Sequence, residues 1–301
     1  MRRTPSMAAV GNAKVSVLQS LHPAGRPYAP EEGSMGPTEA LLLGIVQGLT
    51  EFLPISSSAH LVLLPAWLHR PGPPLVFDTT VHLGTLTAVL VAFWSEVGAL
   101  ARAWWQGLRS RRPLTSPTSR LAWWLVLATL PGATFGFLFE EALEQLFSNP
   151  RMVGGILLLT ALLLFLAERC SQRTRSLEET RWTDALWIGI GQAAAIAPGL
   201  SRSGTTIATG MLRGLQRDAA ARFSFLLSIP IVAGTGVYQL LKVAAAPTPI
   251  SWSPLVLGFI GAALAGFAAI RFLLAYLRRR PLYPFALYCL LLGLLALVIP
   301  L

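Results

Sequence analysis

GIVQGLTEFLPISSSAHLVLL, residues 44–64, is as apolar as a membrane helix yet carries polar and helix-breaking residues in its middle. Gln47 and Glu51 are four residues apart, so a helix would place both side chains on one face. Pro54 ends that helix, and the three serines at 56–58 are residue types that cap the start of a new one. A membrane segment that stops midway and restarts predicts a re-entrant helical hairpin that lines a polar cavity or is buried in protein.

The composition of the whole chain agrees with a membrane location. Of its 301 residues 53% are hydrophobic and 13% are charged, whereas soluble domains carry about 25% charged residues. The 24 Lys and Arg exceed the 14 Asp and Glu, but these charges lie between apolar runs, as expected for cytoplasmic loops of a membrane protein. The basic balance therefore does not predict nucleic-acid binding. The two cysteines show neither a disulfide framework nor metal-ligand spacing.

Six apolar stretches have the length of a membrane span, the last being shorter than the others. They are residues 77–95, 121–139, 151–168, 218–240, 254–277 and 284–301. Orientation follows from arginine, which is enriched on the cytoplasmic side. The arginine-rich loops, which predict that side, are 96–120, 169–183 and 278–283. The loop 140–150 has three glutamates and no basic residue, so it is predicted to be external.

A second broken segment, residues 184–215, contains PGLSRSGTT at 198–206. The predicted orientation makes this hairpin enter from the cytoplasm, whereas the first one, residues 38–67, enters from outside. Arg202 is the most informative residue here, because a planar guanidinium at membrane depth is costly and suits bidentate contact with phosphate oxygens. Two hairpins from opposite faces predict a polar site near mid-membrane.

The two broken segments also align as an internal repeat. The matches, after a one-residue gap between the second and third pair, are Gly44 with Gly189, Gln47 with Gln192, Pro54 with Pro198 and Ser57 with Ser201. We predict two halves, residues 37–168 and 169–301, each made of a re-entrant hairpin and three spans. An odd number of spans per half inverts the second copy relative to the first. The predicted fold is all-α and integral to the membrane, with six transmembrane helices and two re-entrant hairpins in an inverted-topology repeat.

Residues 1–36 are polar, rich in Pro, Gly and Ala, and without apolar periodicity. Arg2 and Arg3 are not followed by the apolar run of a signal peptide. We predict either a disordered leader or an assigned start upstream of the natural one at Met35.

The polar residues of the breaks predict phosphate chemistry, with structural alternatives. Free N–H groups at a restarted helix bind phosphate, and His60 in its first turn could act as acid, base or nucleophile. Alternatively, Glu51 and Arg202 form a buried pair that only stabilises the hairpins, and the hydroxyl residues only allow close helix packing. His82 and Arg222, each four residues after an aspartate, could also face the site.

QGLTEFLPISSSAH (47–60) and PGLSRSGTT (198–206) together resemble the two signature motifs of the bacterial undecaprenyl-diphosphatase family, also called bacitracin-resistance phosphatases. These motifs are written Glu/Gln-x-x-x-Glu and Pro-Gly-x-Ser-Arg-Ser-x-x-Thr, and the resemblance runs from about Met35 to the C-terminus. It implies a multi-pass phosphatase of the bacterial plasma membrane, among membrane lipids, with its site facing the outer side. The implied reaction hydrolyses undecaprenyl diphosphate to undecaprenyl phosphate and phosphate, recycles the carrier for peptidoglycan synthesis and confers bacitracin resistance. A divalent cation, Mg²⁺ or Ca²⁺, is implied as cofactor.

By position, the resemblance implies that Arg202 clamps the diphosphate and that Glu51 holds the metal or activates the nucleophile. The nucleophile stays open among Ser57, His60, Ser201 and an activated water. The implied substrate-binding residues are Gln47, Ser56, Ser203 and Thr206. Two positions depart from the commonest family pattern: Gln47 stands where many relatives have Glu, and Ala59 where Gly is common.

Two other functions remain alternatives. A secondary transporter also has inverted repeats and broken helices that meet at the midplane, and it would release no phosphate. The type-2 phosphatidic acid phosphatases carry Lys-x₆-Arg-Pro and a His after Ser-Arg at fixed spacing, and this chain has neither. The resemblance leaves a homodimer open as a partner state, although no interface is visible in this sequence.

Overall fold

The computed structural model describes residues 35–139, 149–245 and 251–299, the last four residues of the second range by their backbone alone. These residues form eleven α-helices and one 3₁₀ turn, Leu177–Glu179. The helices are α1 Pro37–Phe52, α2 Ser57–Trp67, α3 Leu75–Ala92, α4 Trp94–Arg109, α5 Pro117–Leu138, α6 Pro150–Cys170, α7 Trp182–Ala194, α8 Arg202–Leu212, α9 Arg217–Ala245, α10 Trp252–Leu277 and α11 Tyr283–Val298. The predicted leader lies outside the described residues except for Met35 and Gly36.

Five helices, α3, α5, α6, α9 and α10, are long and apolar enough to cross a membrane. Each overlaps one of the first five predicted spans, and α11, an apolar helix of 16 residues, covers most of the sixth. The prediction of an all-α membrane protein is therefore confirmed for the described part of the chain. Of the predicted external loop 140–150, only Asn149 and Pro150 are described.

The predicted loop 96–120 contains a helix, α4, that packs against α5. Leu100, Trp104 and Gly107 recur at helical spacing, and Leu100 and Gly107 are buried. The Trp104 ring lies 5.8 Å from that of Trp123 on α5, centroid to centroid. The arginines of this segment predicted a loop, but Arg102 and Arg109 lie on the exposed face of the helix.

Both predicted helix breaks are present. Helix α1 ends at Phe52, two residues before Pro54, and α2 begins after Ser56. Helix α7 ends at Ala194, and α8 begins after Ser201. Each break is stabilised by a serine whose side chain accepts a hydrogen bond from a backbone N–H of the new helix, as N-caps do.

The two broken segments pack in a reciprocal manner. Helix α1 packs most extensively against α10, and α7 against α5. Glycine makes both contacts possible: a Cβ added at Gly44 would lie 2.3 Å from the carbonyl oxygen of Gly258, and one at Gly189 would lie 2.6 Å from that of Ala128. Gly44 and Gly189 are the first pair of the sequence repeat, so equivalent residues make equivalent close approaches.

Two buried carboxylates tie helix ends together away from the breaks. Glu168, at the end of α6, accepts hydrogen bonds from Arg173, Arg217 and the Leu282 amide, and so joins α6 to the starts of α9 and α11. These contacts surround the predicted cytoplasmic loop 169–183.

Asp184, fully buried in the first turn of α7, accepts from Arg175 at 2.7 Å and from Arg213, the last residue before the α8–α9 turn, at 3.1 Å. Burial alone would raise the pKa of Asp184, but hydrogen bonds from Arg175, the Arg181 amide and Arg213 lower its pKa below the ordinary value. The start of α7 and the end of α8 are thereby held by one carboxylate.

Candidate functional site

A cavity of about 200 Å³ lies where the two breaks meet. Its polar side is formed by Glu51 of α1, the serines 56–58, Ser201 and Arg202. The cavity therefore brings together the two segments that sequence analysis selected, although they are more than a hundred residues apart in the chain.

Glu51 is the centre of this cavity and is only 7% exposed. Its Oε1 accepts a hydrogen bond from Arg202 Nη2 at 2.7 Å. Its Oε2 accepts from Ser57 Oγ at 2.7 Å and from Gln47 Nε2 at 3.1 Å. The buried charge is thus compensated by a guanidinium, and three donors from α1, α2 and α8 hold the carboxylate in one orientation.

Two helix N-termini point their first residues at the same carboxylate. Ser56 caps α2 by accepting from the Ala59 amide at 3.3 Å, and Ser201 caps α8 by accepting from the Gly204 amide at 3.0 Å. The first residue of each helix, Ser57 or Arg202, then donates to Glu51. Helix N-termini bind anions through free N–H groups and the helix dipole, and here an arginine adds a full positive charge.

The backbone at both breaks adopts left-handed φ angles. Gly199 has φ +95°, and a Cβ there would lie 2.3 Å from the carbonyl oxygen of Val153, so only glycine fits. The Gly199 amide donates to Ser58 Oγ at 3.2 Å and joins the two breaks. Ser56 has φ +70° without being a glycine, which is a strained conformation that its surroundings must stabilise.

His60 supplies that stabilisation and does not line the cavity. Its Nδ1 lies 2.7 Å from the carbonyl oxygen of Ser56, and its Nε2 lies 2.7 Å from the hydroxyl of Tyr288. A carbonyl only accepts, so Nδ1 carries the proton and Nε2 accepts from the tyrosine. Both ring nitrogens are engaged in holding the Ser56 turn, and the geometry gives His60 a positioning role.

Three of the predicted substrate-binding residues lie behind the cavity wall. Gln47 is fully buried and orients Glu51. Ser203 Oγ donates to the Leu53 carbonyl at 3.1 Å, and Thr206 Oγ1 donates to the Arg202 carbonyl at 2.8 Å. Of these contacts, the one from Ser203 joins the two breaks, and the other two lie within α1 and α8. The fourth predicted residue, Ser56, lines the cavity.

His82 of α3 lies at the cavity although it belongs to neither motif. It lines the cavity, and its Nε2 lies 3.9 Å from Glu51 Oε2. Its Nδ1 lies 2.8 Å from the carbonyl oxygen of Asp78, so Nδ1 carries a proton and Nε2 is the nitrogen that faces the carboxylate. The signal in the sequence was its spacing from Asp78, which Asp218 and Arg222 share. Arg222 is instead paired with Glu96 of α4 at 3.0 Å.

A second, larger cavity of about 580 Å³ adjoins the first and shares Ser58 and His82 with it. One wall is the apolar face of α2, and the α2–α3 connection adds Arg70, whereas α3 adds Asp78. Since Arg70 is exposed, this cavity has a charged rim.

The donor set limits how a metal could bind. Across the described ranges, no group of three or more His, Cys, Asp or Glu side chains could hold a metal ion. Glu51 is the one carboxylate among the residues that line the smaller cavity. Mg²⁺ in phosphate-handling sites is commonly held by one or two carboxylates together with substrate phosphates. The residues present therefore fit a cation that is shared with a bound phosphate group, and not a cage made by protein alone.

Comparison with known proteins gives one consistent result. The profile of the bacitracin resistance protein BacA matches residues 40–295. The chain is 46% identical to an undecaprenyl-diphosphatase of Desulforudis audaxviator over 267 residues, which are 89% of this chain and 99% of that protein. It is 44% identical to proteins of the same name from Moorella thermoacetica, over 80% of this chain and 89% of the relative, and Thermomicrobium roseum, over 87% and 97%.

Proposed function

Because this chain belongs to the family of the bacitracin resistance protein BacA, we propose that its cavity hydrolyses undecaprenyl diphosphate to undecaprenyl phosphate and inorganic phosphate. The chain is an enzyme of the undecaprenyl-diphosphatase type. The observation that carries the proposal is the convergence of two helix N-termini, an arginine and a serine on one buried carboxylate. The lipid substrate and the membrane helices agree, since a membrane-embedded site suits a membrane-embedded substrate.

The cavity matches the charge of a terminal phosphate group. Phosphoryl transfer requires neutralisation of the three equatorial oxygens and a nucleophile in line with the leaving group. Arg202 and the N–H groups of α2 and α8 supply the neutralisation. A divalent cation, Mg²⁺ or Ca²⁺, held by Glu51 and phosphate oxygens would supply further positive charge when bound.

Ser57 is the nucleophile that the geometry favours. Its hydroxyl already donates to Glu51, which is the arrangement of a nucleophile next to its base. Ser57 Oγ attacks the terminal phosphorus, its proton passes to Glu51, and the bond to undecaprenyl phosphate breaks; water then releases the phosphate from the serine. Ser201 is less suited, because its Oγ accepts the Gly204 amide in capping α8. Water activated by Glu51 is the alternative.

His82 completes the proton path in this proposal. It faces Glu51 in the smaller cavity and also lines the larger one. A histidine changes charge near neutral pH, so it can take the proton that Glu51 receives and pass it to the larger cavity. This restores the charged carboxylate for the next turnover.

The membrane topology belongs to the same proposal. We place α3, α5, α6, α9, α10 and α11 across the membrane, with α1–α2 and α7–α8 as re-entrant hairpins in halves 37–168 and 169–301. The reciprocal packing of α1 on α10 and α7 on α5 supports an inverted repeat. The caps support it further, since Ser56 and Ser201 each precede an 11-residue helix. The caps therefore make Ser56 the equivalent of Ser201, with no gap in the repeat, whereas the sequence alignment paired Ser57 with Ser201. Membership of the family supports a place in the bacterial plasma membrane with the site towards the outer face, and the arginine distribution supports the corresponding orientation of the loops.

The physiological role that follows is recycling of the lipid carrier for peptidoglycan synthesis, with bacitracin resistance as its consequence. Removal of one phosphate regenerates the monophosphate on which cell-wall precursors are built.

The test is phosphate release from undecaprenyl diphosphate by purified protein in detergent, with Mg²⁺, Ca²⁺ or EDTA. Arg202→Lys and Glu51→Gln should abolish release, and Arg222→Lys, which alters an ion pair outside the cavity, should leave it within about twofold of wild type. A folded wild-type protein that binds the lipid but releases no phosphate would overturn the proposal and favour transport of the lipid.

A further inference from the structure

The smaller cavity has an apolar side that the chemistry does not use. On the side towards α5 and α9 its lining includes five residues, here called the isoprenoid groove: Gly132, Ile196, Ile231, Val232 and Thr235; beside them the cavity is lined by Ala195, Leu200 and the buried Gln192. They come from α5, from the second break and from α9. The cavity thus runs from a charged end to an apolar end between two apolar helices, a polarity that matches a diphosphate joined to a hydrocarbon.

Each of the two helices that form the groove contains a proline next to the groove. Pro131 lies inside α5 and Pro230 inside α9, and each removes one helical hydrogen bond. Gly132 follows Pro131 directly, and a Cβ there would lie 3.2 Å from the Gln192 side chain. The groove is therefore narrow next to the site, and on α9 it is lined by Ile231, Val232 and Thr235.

The groove ends on a surface that suits lipid. Thr235 is exposed although it lines the cavity, and Val237 on α9 and Phe137 on α5 are 60% and 78% exposed. Apolar side chains exposed on a membrane-spanning helix face hydrocarbon chains. A chain of carbon atoms can thus pass from the cavity to the bilayer without crossing a charged group.

The larger cavity has a different character, since Arg70, Asp78 and His82 are among its lining residues. Charged groups of both signs next to an apolar wall suit water and released phosphate better than a hydrocarbon chain, which would leave them desolvated. The two cavities meet at Ser58 and His82, beside the reacting group.

We propose that the isoprenoid chain of the substrate leaves the polar site through the isoprenoid groove, between the C-terminal halves of α5 and α9, and that phosphate departs through the larger cavity. This inference rests on the proposed function and adds the direction of the lipid chain. It also makes the groove a determinant of chain-length preference, because hydrocarbon contacts beyond the first isoprene units are made there.

The experiment narrows the groove and compares a long with a short substrate. Thr235→Trp should lower kcat/KM for undecaprenyl diphosphate about tenfold or more, and leave kcat/KM for isopentenyl diphosphate within about twofold. Leu264→Trp is the matched control, because it adds the same side chain to an exposed, apolar position of α10, which does not line the groove, and should change neither value. Ala66→Trp, in the larger cavity, should not change the ratio of the two values.

A photoreactive isoprenoid phosphate, with its reactive group on the second isoprene unit, gives a readout that needs no turnover. We expect labelled peptides from 131–138 and 231–238. Labelling of residues 61–66 would place the chain in the larger cavity and overturn the inference. The same conclusion would follow if Ala66→Trp, and not Thr235→Trp, lowered the ratio of kcat/KM for undecaprenyl diphosphate to kcat/KM for isopentenyl diphosphate. If wild type releases no phosphate from either substrate, the proposed function fails, while labelling still decides the position of the chain.

Discussion

Arg202 Nη2 and Glu51 Oε1 are 2.7 Å apart, although 151 residues separate them in the chain. Both side chains belong to helices that restart or end inside the apolar part of the molecule, and both are largely buried. A buried pair of this kind contributes little net stability but is costly to break on one side, because the other charge is left alone. Its position next to Ser57 is therefore explained better by chemistry than by stability.

Glu51→Gln tests the charge without changing size. We expect phosphate release to fall about a thousandfold, because the base for Ser57 and the counter-charge of Arg202 are both lost. Glu39→Gln, on the same helix outside the cavity, is the control and should be active. Equal loss in both variants would mean that the helix, and not the carboxylate, is sensitive.

Ser57→Ala tests the nucleophile. If Ser57 attacks phosphorus, release should fall about a thousandfold or more, and acid quenching of the wild-type reaction with labelled diphosphate should trap phosphoserine at 57. Ser58→Ala is the neighbouring control and should lose much less. Activity within about tenfold of wild type in Ser57→Ala, with no trapped phosphoserine, would assign the attack to water.

His60→Gln tests a positioning role against an acid–base role. Loss of the contacts to Ser56 and Tyr288 should lower kcat and the melting temperature, with each lost hydrogen bond worth about 1 kcal/mol. Tyr288→Phe should show a smaller change of the same kind. The dependence of the residual activity on pH should keep its wild-type form. If one limb of that pH profile disappears in His60→Gln but not in Tyr288→Phe, His60 acts as an acid or a base.

His82→Gln should change the dependence of kcat on pH. We expect the inflection of kcat between about pH 5 and 8 to disappear, because glutamine keeps a polar side chain near Glu51 but cannot exchange a proton. His69→Gln, in the exposed connection after α2, should retain the wild-type profile. An unchanged profile in His82→Gln would remove this residue from the proton path.

Asp184→Asn should destabilise the protein at neutral pH by about 3 kcal/mol, since Arg175 and Arg213 lose their shared partner. The pKa of Asp184 is lower in the folded state, so its contribution is fully present above the unfolded value of about 3.9 and is lost as pH falls through the folded pKa. Thermal unfolding in detergent at several pH values measures this. The gap between wild type and variant should close in acid; a constant gap would mean that packing, and not charge, is responsible.

Much of the site followed from sequence because its residues lie in two short segments with strong local signals. Pro54 and Pro198 predicted the helix breaks, and Arg202 and Glu51 stood out as charged residues in apolar segments. His60 carried an equally strong signal but has its ring nitrogens bound to Ser56 and Tyr288. A partner 228 residues away is not visible in a local pattern.

From the sequence alone follow the membrane class, the two broken helices and the set of groups able to bind phosphate, because hydropathy, proline positions and charge are properties of the chain at each point. Only the tertiary structure decides which groups meet. It brings His82 to Glu51, turns His60 away, places Gln47, Ser203 and Thr206 behind the wall and opens an apolar groove beside Thr235. These outcomes depend on how α3, α5 and α9 pack around the breaks, and packing is set by contacts between residues far apart in sequence.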